Sequence, residues 1–451
     1  MTGRVRLSQI LKVFGWIGLT SLGGGRSVYP PAETREFRWY LGGVAAWFTS
    51  FGIQMIVFPW LVAVVLKEPA QRVGIAQMAM MAPAIVFMLL GGAVADRADC
   101  RRLLLRYHLL AALAPLALAG IVSTGAVGYS SLLGYGIVMG TLGAFVVPAR
   151  DALLTRVVRR GRERAIAVTS AGQFICQLVG IVAAGWAGRI GAQALLVGQA
   201  VILAAGALAV SRLAPAPPVA AHRHGESRLA AMRDGLREVA RSERISPVIL
   251  AMLAVGVLYG GAFAVTLPLI VRDVYGGGSG ELALVNTCFW SGTIASTLLQ
   301  IRLGALRRPG RAVLLAMAGG AVVLAAMAAP GPLWIFALIC LVWGIGAGVT
   351  LTQGRTIAQL EAPESHRARV LAIFQLGFAG GAPVGALGMG YLVALTGPRT
   401  AAIYPAAGMV VVLTFLFLRS GLWRHVAGLA TPGATSGARR GDRGRSTGRG
   451  A

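Results

Sequence analysis

Apolar residues recur in runs of about 20, the length an α-helix needs to cross a bilayer core of about 30 Å. Such runs fall near residues 40–66, 73–95, 103–127, 130–148, 165–188 and 192–211. After a break they resume near 247–272, 281–303, 312–330, 333–353, 368–396 and 399–418. The pattern predicts an all-α integral membrane protein with 12 transmembrane helices, arranged as two bundles of six over 40–212 and 247–420. Between them, residues 213–246 open with Pro215, Pro217 and Pro218 and turn polar. Leu229–Val239 then reads as an amphipathic helix with Arg233, Arg237 and Arg241 on its wet face, so the segment is expected to be a cytoplasmic connecting loop lying on the membrane surface. Residues 421–451 are Gly-, Ser- and Arg-rich, the composition of a disordered tail. Residues 1–39 carry an apolar stretch (11–28) too short to span. That stretch suggests an N-terminal extension from an upstream start or a fused fragment; it resembles the opening of chromate-transporter proteins, which the rest of the chain does not match.

Composition agrees with this pattern. Of 451 residues 56% are hydrophobic and 13% charged, against about 25% charged in an average soluble domain. The net charge of +26 does not form one basic face, so no nucleic-acid partner is expected. Its distribution instead sets orientation. With the N-terminus cytoplasmic, the four short inner loops carry 17 basic residues and the six outer loops carry five (Lys67, Arg72, Arg189, Arg272 and Arg399). Basic residues concentrate on the cytoplasmic side of membrane proteins, which predicts both termini inside a plasma membrane. The four cysteines (Cys100, Cys176, Cys288, Cys340) form no CxxC pair and there is no metal-ligand cluster, so neither a metal nor a cofactor is expected.

The halves repeat. A shift of 205 residues places Arg150 on Arg355, Arg162 on Arg367, Arg164 on Arg369, Gly172 on Gly377, Gly180 on Gly385 and Gly185 on Gly390. Parallel six-helix repeats are a transporter architecture with the substrate site near mid-membrane between them.

A motif sharpens this. Residues 91–102 read Gly-Gly-Ala-Val-Ala-Asp-Arg-Ala-Asp-Cys-Arg-Arg. This resembles the signature loop between helices 2 and 3 of the major facilitator superfamily, over about residues 37–420. The run most resembles the enterobactin-exporter-like branch (transmembrane secretion effectors), as do Gln353-Gly354-Arg355, Glu361-Ala362-Pro363, Arg367-Ala368-Arg369-Val370 and Gly380-Gly381-Ala382-Pro383-Val384-Gly385; Cys100 departs from that branch's basic residue. The resemblance implies the major facilitator fold and a gating loop of Gly92, Asp96, Arg97, Arg101, Arg102 and Arg150, in which Asp96 latches onto the start of helix 11 and a nearby Arg. Arg150 is the candidate partner; a solvated loop whose charges only set topology is the alternative. Antiporters of this superfamily often bend helix 5 at Gly-Pro. Here Gly180-Ile181 stands there and Pro383 lies in helix 11, so bending is expected at Gly180, Gly185, Pro383 and Gly385, with more of it in helix 11.

The spans hold no carboxylate at mid-depth: all 16 acidic residues fall in loops or at helix ends. A mid-bilayer charge costs at least about 2.5–3.5 kcal/mol and usually marks function. Coupling acids would then be Asp273 and Glu281 at outer helix ends, unless these only solvate outer loops or the protein is uncoupled. His108 reads as a loop-end residue. Uncharged polar residues do enter the spans, and Gln54, Gln173, Gln177 and Asn286 are the candidate substrate-cavity residues, with Trp60, Phe174 and Trp290 as a possible aromatic wall. Amides at such positions also serve as helix-to-helix glue. The function expected is secondary active export of a small organic molecule, a siderophore or drug, with or without coupling to an ion gradient, by a monomer in the lipid bilayer. Import of a metabolite and a transport-inactive sensor or scaffold are the alternatives. No His-Glu-x-x-His run supports a membrane zinc protease.

Overall fold

The structure, a computed structural model, describes residues 35–158, 162–215, 237, 239, 242–243, 245–304, 306–362 and 367–424. Most of the predicted extension, connecting loop and tail lies outside the described residues; within them residues 35–39 already begin the first helix and Gly421–Arg424 form a 3-10 turn. Twelve long helices make up the rest: α1 (Arg35–Val65), α2 (Ala70–Arg97), α3 (Cys100–Ser123), α4 (Tyr129–Val157), α5 (Arg162–Ala184) and α6 (Ala192–Ser211), then α7 (Ser246–Asp273), α8 (Ser279–Leu303), α9 (Pro309–Met327), α10 (Leu333–Glu361), α11 (Arg367–Thr396) and α12 (Ile403–Arg419). Eleven spans are long and apolar enough to cross a membrane, and α2, with 28 residues, completes the set. With an even number of helices, Arg35 and Arg419 sit at the same end of the bundle, called here the near end.

Both halves use one packing plan. In the first, α1 lies against α5 and α6, α2 against α4, and α3 against α4 and α6. In the second, α7 lies against α11, α8 against α10, and α9 against α10 and α12. The repeat read from sequence marks the closest crossings. Gly180 meets the Thr49 carbonyl and Gly52 of α1, and its counterpart Gly385 meets the Val257 carbonyl of α7. A methyl group at either position would strike backbone, so glycine sets how near these helices approach. The outer surface is apolar: Leu395 is 82% exposed, Leu418 72% and Val322 69%. Side chains of that kind spread around a bundle belong in lipid, since soluble monomers rarely expose apolar patches above a few hundred Å².

Several helices run further than the apolar runs that announced them. α4 continues to Val157 and α10 to Glu361, so Arg150 and Arg355 lie on helices and not in loops. The apolar run records the thickness of hydrocarbon, whereas the helix continues into the headgroup region and beyond. The backbone irregularities fall in α1 and α7, which pass through π-helical turns at Trp60–Val65 and at Val255–Gly260 and Ala262–Thr266. Such turns commonly occur at functional sites. α11 is continuous through Pro383.

Candidate functional site

A cavity of about 410 Å³ lies at mid-depth between the halves, bounded by α1, α2 and α4 on one side and α7, α8 and α11 on the other. That volume falls in the range for small-molecule sites. Its aromatic wall is Trp47, Phe48, Phe51, Phe263 and Phe378, and four thioethers, Met55, Met80, Met81 and Met139, supply much of the remaining surface. The polar lining is Ser50, Gln54, Gln77 and Asn286, and among the described residues no charged side chain borders the cavity.

Local packing positions each polar group. The Gln54 amide donates to the Met80 sulfur at 3.2 Å. The Asn286 amide donates to the Leu282 carbonyl one turn earlier at 2.9 Å, leaving its oxygen as the acceptor it presents to neighbours. Ser50 is held from behind: Gln199, fully buried on α6, donates to its hydroxyl at 3.0 Å and accepts from the Tyr135 hydroxyl at 3.2 Å. Gln77 reaches across the halves to the Ala264 carbonyl at 3.0 Å, while its own oxygen is buried without a hydrogen-bond partner.

Of the four amides expected at a cavity, Gln54 and Asn286 border this one; Gln173 and Gln177 are not among the lining residues. Gln177 donates to the Met55 sulfur at 3.2 Å, so it backs the wall from outside. Gln173 accepts from the Arg150 guanidinium at 3.1 Å. Trp60, Phe174 and Trp290 do not line the cavity; Phe174 and Trp290 face each other across the halves at 6.3 Å. Ser50 and Gln77 were visible as polar residues in spans, but which face each presents depends on helix rotation, and the weak amphipathicity of a mostly apolar helix does not fix that.

The cavity is sealed toward the far end. There α2 meets α11 where Gly74 abuts Gly390 and the Ala386 carbonyl. By the repeat, the equivalent contact is α5 against α8, where Gly185 abuts Ala283 and the Ser279 hydroxyl donates to the Gly185 carbonyl at 3.1 Å and accepts from Gly188 N–H at 2.9 Å. Arg272, at the end of α7, donates to the Ala63 carbonyl at 3.0 Å and the Glu68 carbonyl at 2.7 Å, and pairs with Asp273. The Ala63 carbonyl belongs to the π-helical end of α1.

At the near end, Gly92, Asp96 and Arg97 fall on the last two turns of α2, and their side-chain contacts lie outside the described residues. The rest of the motif acts as a helix start. Asp99 caps α3 by accepting from the backbone N–H groups of Arg101 (2.9 Å) and Arg102 (3.3 Å). The Arg101 guanidinium donates to the Ser211 carbonyl at the end of α6, where cations are favoured. The Arg102 side chain is 74% exposed. Arg150 is largely buried, pairs with Asp151 at 2.7 Å and lies over the Phe48 ring at 5.0 Å. Thus it ties α4 to α5 and α1 in this state. Glu281 caps α8, accepting from Gly278 N–H at 2.7 Å. No group of metal-ligating side chains occurs among the described residues.

Twelve helices in two repeated halves about a mid-depth cavity define the architecture of a major-facilitator transporter. Residues 26–428 match the model of the transmembrane secretion effector family, and the chain belongs to that family. The chain is also similar in fold to solved transporters. The nucleoside transporter NupG aligns with a TM-score of 0.72 at 13% identity, over 86% of this chain and 99% of that one. A bacterial homolog of the human lysosomal transporter Spinster, inward-facing and occupied, gives 0.66 at 14% identity, over 87% and 97%. The peptide transporter POT in complex with sulfate gives 0.64 at 14% identity, over 91% and 99%. No curated protein matches the chain. The protein is therefore a multi-pass membrane transporter, and its family and structural neighbours are transporters, not enzymes.

Proposed function

We propose that this protein exports a small, largely apolar organic molecule from the cell by alternating access. The observation that carries the reading is the cavity: uncharged, rich in aromatic and thioether surface, with a few amides and one hydroxyl. Thioethers are flexible and polarizable, which suits ligands of varied shape. An anionic siderophore would meet no compensating charge there, and burying an unpaired carboxylate or catecholate is costly. The lining therefore favours the drug-like branch of the expectation over the enterobactin-like one. The charge distribution supports a plasma-membrane protein with both termini cytoplasmic, working as a monomer, with the sealed far end outside. In the opposite access state Asp96 takes over Arg150, and the gating loop closes the near end.

The test is efflux of Nile red, a neutral lipophilic dye, from cells with and without the protein and from proteoliposomes of fixed orientation. Faster dye loss that falls at least about threefold in a Gln54→Leu, Asn286→Leu double variant supports the reading. Equal dye loss with and without the wild-type protein defeats it, and protein-dependent accumulation reverses the direction.

A further inference from the structure

We propose that His108 is the proton-binding residue of this transporter, exchanging a proton for substrate through the wall it shares with the cavity. The inference deepens the export reading and rests on it. No carboxylate lies at mid-depth in the sequence, and the two outer-end acids are engaged, Asp273 with Arg272 and Glu281 at the cap of α8. His108 is the only histidine among the described residues, and it is 2% exposed. It stands eight residues into α3, about 12 Å along the helix at 1.5 Å per residue, and so is not at a loop end.

Its surroundings form a fitted niche. Nδ1 lies 2.8 Å from the Leu104 carbonyl oxygen and Nε2 3.3 Å from the Gly43 carbonyl oxygen of α1. A neutral imidazole has one N–H; only the imidazolium donates from both nitrogens. Two carbonyl acceptors facing the two nitrogens favour the protonated ring, burial of the ring favours the neutral one, and the balance between them sets its proton affinity. The neutral ring leaves one carbonyl opposite a lone pair. Gly206 of α6 makes room, since a Cβ there would sit 2.8 Å from the ring. On the other side the ring meets Trp47 edge-on at 5.6 Å, and Trp47 borders the substrate cavity.

Other titratable or charged groups near the ring are few. From α1 comes the Tyr40 hydroxyl and from α4 the Arg150 guanidinium, both bordering a void of about 10 Å³ that His108 also borders. Asp151 neutralises Arg150. α6 presents Gly206 and Val210, neither titratable, and Arg101, two turns back on α3, is engaged with Ser211.

The linkage follows from the shared segment Gly43–Trp47. With the proton on, α1 is tied to α3 through the Gly43 carbonyl and the Trp47 wall is held. With it off, the ring keeps one N–H, and in the tautomer that holds it on Nδ1 the Gly43 tie is lost and the wall is free to move. A proton taken from one aqueous side and released on the other balances the exchange without a further reactant.

Two measurements test this. Imidazole nitrogen NMR on histidine-labelled protein in nanodiscs, assigned with His108→Gln, follows the ring from about pH 8 to about pH 5.5, the range in which histidine ordinarily changes charge. Conversion of His108 from a single tautomer to the doubly protonated form is expected, and displacement of that signal in Gly206→Ala is expected as well. A single neutral tautomer across the whole range overturns the proposal. In proteoliposomes, His108→Gln is expected to bind Nile red as the wild type does while its pH-gradient-driven transport falls at least about tenfold. Unchanged gradient dependence overturns the proposal. Titration of His108 in a wild-type protein that moves no dye would instead defeat the export reading and leave the proton site standing.

Discussion

The far-end seal rests on helices touching through glycine, which makes Gly390→Ala its sharpest perturbation. A Cβ at Gly390 would lie 2.9 Å from the Ala70 carbonyl oxygen and 3.0 Å from the Gly74 Cα. Optimal separation between non-bonded carbons is about 3.5–4.0 Å, so α2 and α11 must part by roughly 0.5–1 Å. Overpacking of this kind costs about 1–3 kcal/mol. The contact joins the halves, so the cost falls on the sealed state. Each ~1.4 kcal/mol is a tenfold change in equilibrium, which shifts the equilibrium away from the sealed state by about five- to 140-fold. Spin labels at Arg189→Cys and Thr400→Cys, exposed far-end positions on opposite halves, report it once the four native cysteines are replaced. The label pair should move to longer distances in Gly390→Ala. Gly388→Ala is the control, because nothing lies within 4 Å of a Cβ there. Identical distance distributions for the two variants, both folded, would refute the argument that the glycine contact sets the seal. Gly74→Ala combined with Gly390→Ala should be non-additive, since the two residues touch.

Three further outcomes follow from single contacts. Asp99→Ala removes the cap of α3 and should lower stability by about 1 kcal/mol, read as a lower midpoint of thermal unfolding in detergent; Asp99→Ser should recover most of it. Arg272→Ala frees the Ala63 and Glu68 carbonyls and should shift the same far-end label pair toward longer distances without changing Nile red affinity; a change confined to affinity would contradict its placement in the seal. Pro383→Ala should slow dye efflux several-fold with normal membrane insertion if α11 bends there during the cycle, and wild-type efflux would discard that bending.

The fold was legible because membrane helices announce themselves by length and apolarity, and the basic loops separate them. The repeat was legible too, and it carried more than topology. Gly180 and Gly385 lie at equivalent crossings within each half, while Gly185 and Gly390 lie at equivalent contacts between halves. One sequence period thus records both the packing of a half and the seal between halves. The cavity was only half legible. An all-apolar helix carries little record of its rotation, so nothing in sequence separates Gln54, which borders the cavity, from Gln177, which supports it through Met55. Methionine was least legible, because a thioether in an apolar run reads as core. Yet Met55 and Met80 accept the amides of Gln177 and Gln54 while forming the wall. The Gln54 amide, which borders the cavity, is thereby turned toward sulfur, a weak acceptor. A ligand with a better acceptor can take that donor at modest cost, while a ligand with none leaves it satisfied. On the export reading proposed above, tolerance of both kinds of molecule follows from residues that a polarity plot records as featureless.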